Sequence, residues 1–137
     1  MSVLLSKNFS SHEFRCPCGC GSEEVHPKLI EILQKIRDQV GPLQISSGNR
    51  CQEHNSGIAG AARRSMHIPR NGVGHAADVK YYGGSRGPDA ILRLYVLADQ
   101  LGATGLGLYH NRIHVDVRRG MRRARWIDSS WSWTRSP

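Results

Sequence analysis

Long apolar runs are missing from the 137-residue chain; a membrane-spanning helix needs about 18–20 consecutive apolar residues. No transmembrane segment is expected. The first residues, Met1 to Lys7, carry no charged leader, only a very short apolar stretch and no cleavage site of the usual kind. The reading is a protein made in the cytoplasm without a signal peptide. Internal repeats are absent, as is any linker long enough to separate domains. One domain with a single core is therefore expected over 1–137, with residues 1–26 as an irregular arm and about 127–137 as a tail. Nor does any side chain have the setting of an activated nucleophile.

Acidic residues are also scarce: 11 Asp and Glu face 19 Lys and Arg, a formal net charge of +8 with a pI near 9.9. Such a chain suits acidic partners, with nucleic acid, anionic lipid and anionic cell-wall polymers as the candidates. The charge is uneven, because Arg118, Arg119, Arg122, Arg123 and Arg125 crowd the stretch before Trp126. A solvated arginine face explains that run as well as a polyanion footprint does.

Four cysteines remain: Cys16, Cys18, Cys20 and Cys51. The first three alternate with Pro17 and Gly19, too tightly for easy bridges among themselves, since bridged Cα atoms lie about 4.4–6.8 Å apart. They can wrap one soft metal ion with Cys51 as a fourth ligand, although the spacing is not the common C-x2-C knuckle. Reduced thiols packed in a turn, or a bridge from Cys51 to one of the three, are the alternatives. A reducing cytosol disfavours the bridge.

Hydrophobic spacing places the elements. Phe9 and Phe14 anchor the arm. Pro27 opens a helix whose Leu29, Leu33, Ile36 and Val40 share one face before Gly41-Pro42 closes it. Leu43–Ser46 reads as a strand, 51–60 as a brief helix, and Ala76–Lys80 as a buried strand. Pro88 opens a second helix with Ile91, Leu94, Leu97, Ala98 and Leu101 inward and Gly102 as its cap. Gly105–Tyr109 and Arg112–Val117 read as two strands joined by His110-Asn111, and the tail with Trp126, Trp131 and Trp133 adds a last strand. The class is α+β: a small, mainly antiparallel sheet with two principal helices.

Three segments carry the chemistry. Ser65-Met66-His67, Gly74-His75-Ala76-Ala77-Asp78 and Ile113-His114-Val115-Asp116-Val117 offer two imidazoles and a carboxylate. Zinc accepts such nitrogen and oxygen ligands and keeps a fourth position open in catalytic sites. Together with Ser47-Gly48-Asn49-Arg50-Cys51-Gln52-Glu53-His54-Asn55, these motifs resemble the M15 zinc peptidases. That family comprises D-alanyl-D-alanine carboxypeptidases and phage endolysins, and shares its fold with the hedgehog signalling domain. The resemblance runs from Asn8 to about Trp126, and Ser10–Phe14 with the cysteine cluster is similar to the phage and prophage branch.

The resemblance implies one zinc ion held by His67, Asp78 and His114, with Arg50 and Ser65 on the substrate's carbonyl or terminal carboxylate. Arg50 would also steady the developing oxyanion. Ten residues separate His67 from Asp78, more than in many members, and the excess falls around Ile68–Gly72 where Asn-Gly favours a turn. His75 is an alternative to His67, though Ser-x-His precedes only the latter. Many members also place an acid three residues before the last zinc histidine as general base; here that position is Asn111. Asp116 lies two residues past His114, on the same face of a strand. It is the first candidate for the base, or else a partner that orients a ligand. His110 is the second candidate.

The implied activity is hydrolysis of amide bonds in peptidoglycan stem peptides, as a D-Ala-D-Ala carboxypeptidase or an endolysin-type endopeptidase. Such an enzyme is expected as a monomer acting on the cell wall after release, or as a component of a phage particle. The competing readings are a non-catalytic, zinc-stabilised module that binds wall or protein and, ranked last, a nucleic-acid binder built on the arginine run and Trp126.

Overall fold

A computed structural model describes residues 2–51, 55–58, 65–70, 72–84, 86–118 and 123–133. It is α+β. The arm contains a 3-10 helix at Ser11–Phe14, whose start is fixed by Glu13: its carboxylate accepts the Ser10 N–H at 2.7 Å. Phe9 and Phe14 are fully buried, their rings 6.2 Å apart. Helix α1 spans Pro27–Val40, with His26 as its N-cap accepting the Lys28 N–H, and ends at Gly41, whose φ of 92° L-residues avoid. Helix α2 spans Pro88–Gln100 and closes at Leu101 and Gly102. Among the described residues no helix is long and apolar enough to cross a membrane. The brief helix expected over 51–60 falls partly outside the described residues; within them Asn55 and Ser56 are helical, and Asn55 donates its N–H to the Cys51 carbonyl.

Five strands form one sheet in the order β1-β2-β4-β3-β5: β1 (Leu43–Ser47), β2 (Ala76–Tyr81), β3 (Gly105–Leu108), β4 (Ile113–Asp116) and β5 (Ala124–Ile127). All neighbours are antiparallel except β3 and β5, which run parallel. Alternation along a strand gives the sheet two different faces. Ala77, Val79, Leu106, Leu108, Ile113 and Val115 point to the helices and join Leu29, Leu33, Ile36, Ile91 and Leu94 in one apolar cluster. The intervening residues make the opposite face.

On that opposite face the register lines up Ser47, Asp78, His114, Gly107 and Trp126 as one row across all five strands. The neighbouring row contains Ala76, Asp116, Gly105 and Ala124. Both β3 positions are glycine for a steric reason. A Cβ at Gly107 would overlap the Trp126 indole, and one at Gly105 would overlap the Asp116 carboxylate. Missing side chains on β3 thus make room for the groups on either side.

Candidate metal centre

His67 and His114 reach Asp78 from separate segments. His67 Nε2 and His114 Nδ1 each lie 3.2 Å from Asp78 Oδ1, and the ligating atoms of the three residues fall within 4.8 Å of one another. A tetrahedral ion with bonds of about 2.0–2.1 Å would hold its ligand atoms roughly 3.3 Å apart. The spacing fits.

The outer contacts of both rings decide where their protons sit. His67 Nδ1 is 2.7 Å from the Gly48 carbonyl, which can only accept, so Nδ1 carries the hydrogen. His114 Nε2 is 2.7 Å from Asp116 Oδ2 and by the same logic donates to it. In each neutral ring the lone pair is then left on the nitrogen that faces Asp78. With both rings neutral, two lone pairs and a carboxylate oxygen converge on one point, the arrangement that a bound cation would use.

The charges respond accordingly. Burial alone would push the Asp78 carboxyl up, but hydrogen bonds from His114 and His67 outweigh it and hold it well below the usual carboxylate range. Burial would likewise push the His114 imidazole down, yet Asp116 and Asp78 raise it above its ordinary value. In the absence of a metal, a proton is the cation that this cluster attracts.

Asp116 faces away from that cluster. It is fully buried and held by Arg118 at three points: Nε and the backbone N–H on Oδ1 at 2.9 and 3.1 Å, and Nη2 on Oδ2 at 2.8 Å. Burial opposes its ionisation, but Arg118 and His114 keep it well below the usual carboxylate range. Of its two expected roles, base toward the metal's water or orienter of a ligand, this geometry corresponds to the second: the carboxylate lies on the ring nitrogen that the metal would not use. His110 is exposed on the β3–β4 turn, with its N–H on Ser130 Oγ at 3.3 Å and Asp128 nearby. The structure does not bring it into the cluster. Asn111 accepts from Arg112 Nη1 at 3.3 Å.

Arg50 and Ser65 stand together. Arg50 Nη2 donates to Ser65 Oγ at 2.9 Å, and the same oxygen accepts the His67 N–H at 3.2 Å. The Arg50 N–H donates to the His67 carbonyl at 2.8 Å. Arg50 Nε is buried without a hydrogen-bond partner among the described residues; desolvation lowers its pKa while the charge of Asp78 opposes that. A half-buried guanidinium next to the cluster is suited to an oxygen of a ligand. His75, the alternative to His67, instead lies with its ring 5.4 Å from His26.

Three features of the site are not among the sequence expectations. Arg112 Nε lies 3.6 Å from Asp78 Oδ2, the oxygen turned away from the histidines, and its guanidinium stacks on Tyr109 at 4.1 Å. Trp126 lies against His114, with ring centroids 5.1 Å apart, and donates its Nε1–H to the Tyr109 hydroxyl at 3.1 Å. The Gly48 carbonyl fixes the His67 tautomer. Arg112 had a signal, since it lies two residues before His114 and therefore on the same face; the other two had none.

Of the arginine run, Arg118 pairs with Asp116, while Arg123 and Arg125 both pair with Asp99 at 2.9 and 2.8 Å. Arg119 and Arg122 lie outside the described residues. The longer His67–Asp78 connection closes on itself, with Arg70 and Val73 exchanging N–H···O bonds of 2.9 and 3.0 Å around Gly72. A second cluster forms where Cys16, Cys18, Cys20 and Cys51 bring their sulfurs within 4.8 Å of one another. Burial pushes the Cys16 thiol up, but N–H groups of Cys51 and Cys18 outweigh it and bring it to about 7. Cys18 is pushed up to about 12, chiefly by Cys16.

No curated protein matches the chain. A family model described as Peptidase M15 matches residues 7–116, a span that takes in both cysteine segments, Arg50, Ser65 and the three converging side chains. Family and geometry agree, and the chain belongs to the M15 peptidases.

Proposed function

We propose that this protein is a zinc peptidase that hydrolyses amide bonds in peptidoglycan stem peptides. The single observation that carries the reading is the convergence of His67, Asp78 and His114, with a hydrogen-bond acceptor on the outer nitrogen of each imidazole. Zinc held there supplies a Lewis acid that polarises a peptide carbonyl and acidifies water.

The residues divide the remaining work. Arg50, supported by Ser65, would bind the substrate's carbonyl or terminal carboxylate and stabilise negative charge as the tetrahedral centre forms. Arg112 holds Asp78 by the oxygen that the metal leaves. Asp116 and the Gly48 carbonyl fix the two imidazoles, so ligand geometry does not depend on the substrate. With Asp116 committed to His114 and Arg118, its carboxylate serves as a positioning group for the ligand imidazole.

A pocket of about 540 Å³, lined by His26, Pro27, Met66, Arg70, Val73, His75 and Arg118, adjoins the site along the chain. Met66 precedes His67 and Arg118 grips Asp116. Its basic lining suits the free carboxylates of stem peptides.

Digestion of purified cell walls by the full chain, followed by mass spectrometry of the muropeptides, tests the proposal. Zinc-loaded protein is expected to release peptide fragments that name the bond, and His67→Ala or a chelator to release none. Asn111 in the usual place of the acid, together with the commitment of Asp116 to His114, favours a second reading: a zinc-stabilised module that binds the wall without cutting it. Walls that retain the zinc-loaded protein yet stay intact would establish that reading instead.

A further inference from the structure

The four cysteines take no part in the chemistry above, and they are drawn together from two distant segments. Cys18 Sγ lies 3.3 Å from Cys16 Sγ and 3.5 Å from Cys51 Sγ, and Cys20 completes a group whose sulfurs all fall within 4.8 Å. Four thiolates around one zinc ion, at bonds of about 2.3 Å, lie roughly 3.8 Å apart. A disulfide would join Cys18 to one neighbour and leave the other sulfurs beside it unused. We propose that Cys16, Cys18, Cys20 and Cys51 form a tetrathiolate site for a soft divalent cation, zinc above all.

The backbone is built for it. Gly19 and Gly21 have φ of 82° and 89°, and a Cβ at either would meet nothing. Their requirement is therefore conformational: they bend the chain so that alternate side chains of 16–20 turn to one centre. The base of this loop is pinned by the Cys16 N–H on the Ser22 carbonyl at 2.8 Å and the Gly19 N–H on the Cys16 carbonyl at 3.2 Å.

From the other side, the Cys51 N–H points at Cys16 Sγ at 3.4 Å, a contact that stabilises a thiolate more than a thiol. The Asn49 N–H donates to the Phe14 carbonyl at 2.9 Å, and Gly48 packs so closely on the Phe14 backbone that a Cβ would overlap it. The two segments are already docked where the fourth ligand enters. Cys16 is buried while Cys18 and Cys20 are exposed, so the ion would be closed toward the protein, with Cys18 and Cys20 on its outer side. Four thiolates leave no open position for water, which makes this a structural site. It would staple the arm to the segment that carries Gly48 and Arg50.

Cobalt distinguishes this site from the peptidase centre. Reduced, metal-free full-length protein is loaded with Co2+ and examined by absorption spectroscopy and metal analysis. Two cobalt ions per chain are expected, with intense sulfur-to-cobalt charge-transfer bands. His67→Ala should keep those bands and lose one ion; Cys51→Ser and Cys18→Ser should weaken or abolish the bands and keep the other ion. The wild-type spectrum alone is decisive if a variant fails to fold. A reduced wild-type protein that takes up cobalt without a sulfur-to-cobalt band, or a band that disappears in His67→Ala and persists in Cys51→Ser, would overturn the proposal. Neither outcome depends on whether the protein cuts cell walls.

Discussion

The two clusters solve the problem of gathering distant ligands in opposite ways. Asp78 and His114 sit opposite each other on paired strands, and each histidine is aimed by a second contact on its far nitrogen. The four cysteines lie on loops, two of them exposed, with glycine turns in place of a sheet. The first centre is organised by the fold before any ion arrives. The second is gathered by loop turns, and its ion would lock them together. The difference separates catalysis from architecture: ligand positions set by a sheet stay fixed while substrate and water change places, and ligand positions locked by the ion serve to hold two pieces of chain together.

The sharpest break between the clusters is activity. His67→Ala, by removing the loop-borne ligand beside Asp78 and His114, should lower kcat/KM for peptide cleavage by about a thousandfold or more, the several kcal/mol that a Lewis acid contributes. Circular dichroism should show the fold retained. An active His67→Ala would mean that the ligands are wrongly assigned.

Next in size is the outer contact on His114. Asp116→Asn keeps the shape of the side chain but removes the anion that fixes the tautomer, and zinc affinity measured by chelator competition should fall about 10–100-fold. Unchanged affinity with lost turnover would return Asp116 to the role of base. Gly107→Ala is smaller and more local. Its Cβ displaces Trp126 from His114, at about 1–3 kcal/mol of stability, the usual cost of overpacking, read as a lower midpoint in urea with a weaker hold on zinc.

The smallest effect is in pH. Without metal, the raised pKa of His114 contributes stability that is complete below the ordinary imidazole range and is lost as pH rises through the folded value. Asp78 and Asp116, both depressed, contribute stability that is present above the usual carboxylate range and lost in acid. With zinc, His114 must be neutral to bind, so stability rises with pH through the same imidazole range. Thermal melts of the two forms should therefore slope in opposite directions there. Parallel slopes would show that the ion does not use His114.

The legible regions of the molecule are those with a local signature. Both helices announce themselves by apolar spacing between a proline and a glycine, and the three converging side chains by short motifs that agree in order. The glycines of β3 carry no such mark, because their neighbours Trp126 and Asp116 arrive from other strands. The parallel pairing of β5 with β3 is equally invisible: a four-residue strand has no local preference for direction, and a long-range register decides it. Asp116 shows where reading along a strand stops. Alternation places it on the face of His114, but which ring nitrogen it meets depends on the rotation of the imidazole, and that rotation separates a base from an orienter.

One measurement tests the central claim most directly: an anomalous difference map at the zinc edge from crystals of the Cys51→Ser protein, which removes the other cluster from consideration. A peak about 2.0–2.2 Å from His67 Nε2, Asp78 Oδ1 and His114 Nδ1 together is the predicted result. Loaded crystals with no peak among those three atoms, and their side chains joined only by hydrogen bonds, would contradict it.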